Sequence, residues 1–169
     1  MFEVKVPATS ANLGCGFDSL GMALDLYNKF EFKKTKKDID IRVKINNQNL
    51  DIPLEENLIY ISLKKLSEKV GQEIKGIKVV EYSNVPLARG LGSSATAIIG
   101  ALVGGNYFLG EPLTKKEILE IALEIENHPD NIVPALVGGL VINIYNKNIF
   151  KYKKIKVNNS NLKAILVIP

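Results

Sequence analysis

Between Val85 and Ala95 the chain reads Val-Pro-Leu-Ala-Arg-Gly-Leu-Gly-Ser-Ser-Ala. Gly90 and Gly92 allow a tight backbone turn and close approach to a ligand, with no Cβ in the way. Ser93 and Ser94 then open a run of small and apolar residues that reads as a long helix. The free N–H groups and positive dipole end of such a helix suit a polyphosphate. The serine hydroxyls can add hydrogen bonds or a ligand to Mg2+. A plain glycine turn capped by Ser93 would give the same residues, so spacing alone leaves both readings open. Two other phosphate loops are excluded. No Lys follows Gly92, as a P-loop requires. Residues 90–95 match G-x-G-x-x-A, but a second helix follows, not the strand with an acidic residue that a dinucleotide fold needs.

Three further segments carry polar chemistry. Pro7 to Asp18, PATSANLGCGFD, packs polar side chains, two glycines and an acid into one loop. It suits a small polar ligand through Asn12 and Asp18, or else a loop with Asn and Asp in turn roles. Cys15 in that loop has no neighbouring base and reads as a small space-filler. Glu126 to Asn131, ENHPDN, gathers two carboxylates, an imidazole and amides at a helix end. Glu126 is an oxygen donor of the kind Mg2+ prefers, while Asp130 reads as the N-cap of the next helix. Asn57, taken alone, is an N-cap.

These segments need a frame. Phe2, Val4 and Val6 alternate with charged residues and read as a strand that Pro7 ends; residues 8–18 read as loop. Leu26–Lys34 and Ile39–Ile45 read as strands, and Asn46–Asn49 as a turn. Ile59, Leu63, Leu66 and Val70 share one helical face over 57–70, and Gly71 supplies the stop. Ile77–Tyr82 reads as a strand. Thr114 and Glu117 form a capping box opening a helix to about Glu126. A short helix before Gly138 and strands Leu140–Tyr145, Ile149–Lys153 and Lys163–Ile168 complete the order. The order is not a strict βαβα alternation, so the expected class is α+β, a mostly antiparallel sheet with helices on one face.

Composition narrows the function classes. Of 169 residues, 46% are hydrophobic and the net charge is +4, which excludes a disordered chain. No apolar run approaches the ~20 residues of a membrane span. One Cys and one His exclude a disulfide framework and a Cys/His metal cluster, and a cytoplasmic setting is expected. The positive charge is mostly Lys in short runs, without Trp or an aromatic-interleaved basic motif. It reads as solvated surface, so no nucleic-acid partner and no membrane partner are expected.

Taken together, the first loop, the P-x₃-G-L-G-S-S-A segment and the missing P-loop Lys resemble the GHMP small-molecule kinases. PATSANLGCGFD and ENHPDN look like the homoserine kinases among them. The resemblance implies a fold like domain 2 of ribosomal protein S5, with ATP and Mg2+ bound and L-homoserine as acceptor. It implies that Pro86, Leu87, Ala88, Arg89, Gly90, Leu91, Gly92, Ser93, Ser94 and Ala95 wrap the ATP phosphates. Ser94 and Glu126 would hold Mg2+, and Asn57 would contact adenine. Asn12 and Asp18 would bind homoserine, with Asp18 facing its ammonium. Asn131 would lie near the attacking hydroxyl, and Asp130 is a candidate base that some family members do without. Mevalonate is the alternative acceptor, and an RNA- or partner-binding module of S5-like fold the alternative class. The family's third glycine motif and substrate-carboxylate arginines have no counterpart here. Residues 1–169 are therefore expected to be an N-terminal, ATP-binding domain without its C-terminal domain, weakly active alone and prone to self-association or homodimer formation.

Overall fold

The computed structural model describes residues 1–36, 38–146, 149–157 and 163–165. Seven strands form one sheet: β1 (Phe2–Ala11), β2 (Leu20–Lys34), β3 (Ile39–Ile45), β4 (Gln48–Leu50), β5 (Ile77–Ser83), β6 (Leu140–Asn146) and β7 (Ile149–Ile155). The order is β4-β3-β5-β2-β6-β7, with β1 paired to β2. All pairs are antiparallel except β3 with β5. The long β2 spans the architecture. Lys29–Lys34 pair with β5, and Leu20–Met22 pair with β6. The expected α+β class holds.

Four helices, α1 (Leu58–Val70), α2 (Ser93–Phe108), α3 (Lys115–Ile125) and α4 (Pro129–Val137), follow the local signals. The Asn57 Oδ1 accepts the Ile59 N–H and starts α1, and Gly71 ends it in the left-handed conformation. The Thr114–Glu117 capping box starts α3. α2 is buried nearly all round, as a uniformly small and apolar helix must be. It lies directly on the sheet: a Cβ at Gly104 would sit 2.0 Å from the Phe32 ring. Alternation in β5 turns Ile77, Val79, Glu81 and Ser83 into the core and leaves Lys78 and Tyr82 partly open. On the open face Asp40 meets Lys78 at 3.7 Å and Arg42 at 3.4 Å. Among the described residues no helix is long and apolar enough to cross a membrane.

Several expectations need correction. Pro7 does not end β1, which continues to Ala11 with a register shift between Pro7 and Thr9. β1 pairs with β2 alone, and an edge strand with an irregularity tolerates a missing N–H. The loop therefore shrinks to 12–19, and β2 begins at Leu20. Gln48–Leu50, read as part of a turn, pairs with β3. Asp130 is not the N-cap of α4: Pro129 opens that helix and His128 holds the cap position without a side-chain bond. Cys15 fills no space, because it is exposed. Residues 163–165 form no strand, and the remainder of that expected strand, 166–168, lies outside the described residues.

Candidate active site

The loop between β5 and α2 is shaped by positive φ at Ala88, Gly90 and Gly92. Gly92 occupies the N-cap position of α2 at φ 66, and no side chain caps the helix. Ser93 is thus the first helical residue and not its cap. The first-turn N–H groups stay free of side-chain acceptors, the condition an anion site needs. A Cβ at Gly92 would lie 1.9 Å from the Thr9 Oγ1.

Loop and helix form one wall of a cleft of about 490 Å³. β3 and β5 contribute Val43, Glu81 and Ser83; Asn57 closes the far side, and Glu126 and Asn131 the near one. Of the residues singled out in sequence, Asn57, Leu87–Ser94, Glu126 and Asn131 all line this hollow. Pro86, Ala95, Asn12, Asp18 and Asp130 do not.

The geometry assigns donors and acceptors. The Asn57 Oδ1 is committed to the cap at 2.9 Å, so its NH2 is the end left for a ligand. The Asn131 Oδ1 accepts the Thr9 hydroxyl at 2.7 Å, which leaves its NH2 as the free end too. Ser94 and Glu126 are hard oxygen donors facing one cleft, which fits Mg2+. Among the described residues no group of three or more His, Cys, Asp or Glu could hold a metal. Phosphate and water oxygens would have to complete the shell.

Asn12 and Asp18 are exposed on the β1–β2 loop, where the Asp18 N–H donates to the Asn12 Oδ1 at 2.9 Å. Asp130 is buried, and its Oδ1 has no hydrogen-bond partner. Burial, and then the nearby Asp18 carboxylate, push the Asp130 carboxyl above its usual range.

Three participants escaped the sequence reading. Thr9 is fully buried between the loop and α4. Asn28, also fully buried, donates to Glu81 and to Thr96 at 2.9 Å each. Its Oδ1 accepts the N–H groups of Asn84 and Val85, so one carboxamide holds both flanks of the glycine loop. Glu81 is 5% exposed, and burial pushes its carboxyl up to about 7 against the opposing Asn28 bond. The period-2 pattern Ile77, Val79, Glu81 was the available signal. Below pH 4.5 this group is protonated folded or unfolded and has no effect on stability. As pH rises from 4.5 to about 7 the unfolded chain ionises while the folded one stays protonated, so stability falls by about 3 kcal/mol in all and levels off above about 7. Glu81→Gln should flatten that decline. Urea melts between pH 4 and 8 test this, and an unchanged slope would exonerate Glu81.

Fold and cleft together define an S5-like α+β domain whose glycine loop opens onto an uncapped helix start. Residues 57–139 match the family described as GHMP kinases N terminal domain. The homoserine kinase of Halothermothrix orenii is 51% identical over 173 residues, and that of Clostridium beijerinckii 48% over 170; both alignments cover 100% of this chain. The chain spans 55% of the length of each of these relatives. The crystal structure of homoserine kinase from Cytophaga hutchinsonii matches 92% of this chain and 52% of its own, at TM-score 0.79 and 31% identity. The Methanococcus jannaschii mevalonate kinase shares the fold at TM-score 0.69 over 92% of this chain and 56% of its own, with 24% identity.

Proposed function

We propose that the protein transfers the γ-phosphoryl group of ATP to the hydroxyl of L-homoserine, giving O-phospho-L-homoserine for threonine biosynthesis in the cytoplasm. Residues 1–169 would be its N-terminal, nucleotide-binding domain. The observation that carries this reading is the cleft, which draws Asn57, Gly90–Ser94, and Glu126 with Asn131 together from three separated segments. The curated homoserine kinases, similar along the whole chain, support the choice of acceptor.

Phosphoryl transfer needs positioning and charge stabilisation more than covalent help. In this reading the backbone N–H groups of the loop and first turn of α2 cradle the phosphates. The Asn57 NH2 meets an acceptor atom of the adenine. Mg2+ held by Ser94 and Glu126 supplies charge neutralisation. The Asn131 NH2 donates toward the reacting oxygens. Asp18 and the unpaired Asp130 oxygen form an anionic pair that an α-ammonium would neutralise. Asp130 does not line the nucleotide cleft, and its buried carboxyl suits substrate binding better than the role of a base. Homodimer formation would be favoured by exposed apolar residues on β6, where Ile142 is 41% and Ile144 59% exposed.

ADP release with L-homoserine, and separately with mevalonate, decides the acceptor. Asp18→Asn weakens one charge-assisted contact worth ~1.5–3 kcal/mol, so the KM for homoserine should rise by about 10-fold or more with the ATP KM unmoved. Equal rises in both would confine the Asp18 side chain to supporting the loop.

A further inference from the structure

Thr9 sits at a junction that its place in β1 does not require. Its side chain is fully buried and its hydroxyl donates to the Asn131 Oδ1 at 2.7 Å. Its backbone N–H donates to the Leu91 carbonyl at 3.0 Å, inside the glycine loop. Its Oγ1 also occupies the space where a Cβ of Gly92 would go. One residue of the first strand therefore touches both the phosphate loop and the Asn131 amide beside it.

The chemistry of the amide makes this consequential. An Asn side chain has one acceptor end and one donor end, and rotating it by half a turn exchanges them. A Thr hydroxyl donates or accepts, so the flipped amide would still bond to it. What the flip would do is turn a carbonyl toward the anionic phosphates, which the observed state, with the hydroxyl donating to Oδ1, avoids. We infer that Thr9 is the positioning residue of Asn131. It anchors the carboxamide through Oδ1, which leaves the NH2 for the reacting oxygens, and it fixes that amide in register with the phosphate loop through Leu91 and Gly92. This rests on the proposed transfer reaction for the role of the oxygens, but the anchoring contact itself does not.

Two substitutions separate the hydroxyl from the shape of the side chain. Thr9→Val keeps the volume and loses the donor; Thr9→Ser keeps the donor and loses a methyl. Turnover should fall roughly 10- to 100-fold in Thr9→Val, since misplacement of this kind costs about that much. Thr9→Ser should stay within about 3-fold of the parent. The ATP KM should hardly move in either. In an Asn131→Ala background, Thr9→Val should cost nothing more, because the two act as one unit. The side-chain amide resonances of Asn131, recorded by NMR with and without Mg2+ and a non-hydrolysable ATP analogue, give a readout independent of the acceptor. They should shift on binding in the parent and in Thr9→Ser, and lose that shift in Thr9→Val. A folded Thr9→Val protein that retains the shift, or a Thr9→Ser protein as impaired as Thr9→Val, overturns the assignment. A complete enzyme that shows the shift but no homoserine-dependent turnover overturns the proposed acceptor and leaves the assignment of Thr9 standing.

Discussion

Gly92→Ala should lower ATP affinity by roughly 10²-fold or more while the fold survives. Two costs meet at this position. An alanine at φ 66 is strained by about 1–2 kcal/mol. Its Cβ would also lie 1.9 Å from the Thr9 Oγ1. Thr9 has no room to yield, being fully buried and bonded to both Asn131 and Leu91. Relief must therefore come from the loop, by moving the first turn of α2 away from the position that presents its N–H groups. Gly90 provides the control. It has a similar φ of 67, but a Cβ there meets nothing within 4 Å. Gly90→Ala should suffer the strain alone, about 10-fold in affinity if all of it is felt on binding. Calorimetric titration of both variants with ATP separates strain from contact. Equal losses at the two glycines would mean that the Thr9 contact is irrelevant to the shape of the loop.

The parts of the fold legible in sequence are those whose signals are local. Asn57, the apolar stripe from Ile59 to Leu66 and Gly71 define α1 with its caps in place. Thr114 and Glu117 do the same for α3. The glycine loop reads correctly because Gly90 and Gly92 sit where the backbone is left-handed and α2 follows at once. Misreadings arise where a distant partner decides. Pro7 ends a strand on propensity, but β1 has its single partner on one side, and the irregularity beyond Pro7 absorbs the missing N–H. Leu20–Asp25 is left unassigned because it carries no local strand signal, and β6, which pairs with Leu20–Met22, lies more than a hundred residues away. The candidate site divides in the same way. Residues on the loop and at helix ends are visible as motifs. Thr9, Asn28 and Glu81 are visible only as inward positions of strands, and nothing local says that the inward group is polar for a reason. Their partners are Asn131, Thr96 and the N–H groups of Asn84 and Val85, which the folded topology alone brings within reach.

Glu126→Gln and Ser94→Ala should each reduce kcat by roughly 10²-fold or more in the complete enzyme, with folding intact. Glu126 ends α3 at its C-cap, half-buried, and its side chain turns into the cleft. Ser94, the second residue of α2, lines the same cleft. An anionic oxygen and a hydroxyl oxygen lining one cleft would suit Mg2+, and among the described residues neither has a structural duty whose loss would explain a fall in rate. Neither side chain takes part in a cap, a salt bridge or the buried Asn28 network. The substitutions differ in the charge they remove. Glu126→Gln removes a negative charge that faces the polyphosphate, so binding of ATP without metal should stay equal or improve, while the Mg2+ concentration for half-maximal rate should rise. Ser94→Ala leaves charge unchanged, so metal-free binding should not improve and the rise in Mg2+ requirement should be smaller. Titrating Mg2+ at fixed ATP, together with metal-free nucleotide binding, reads both effects. If Glu126→Gln keeps near-parental turnover and an unaltered Mg2+ requirement, Glu126 is not a metal ligand, and the carboxylate that turns into the cleft must act on some other part of the substrate pair.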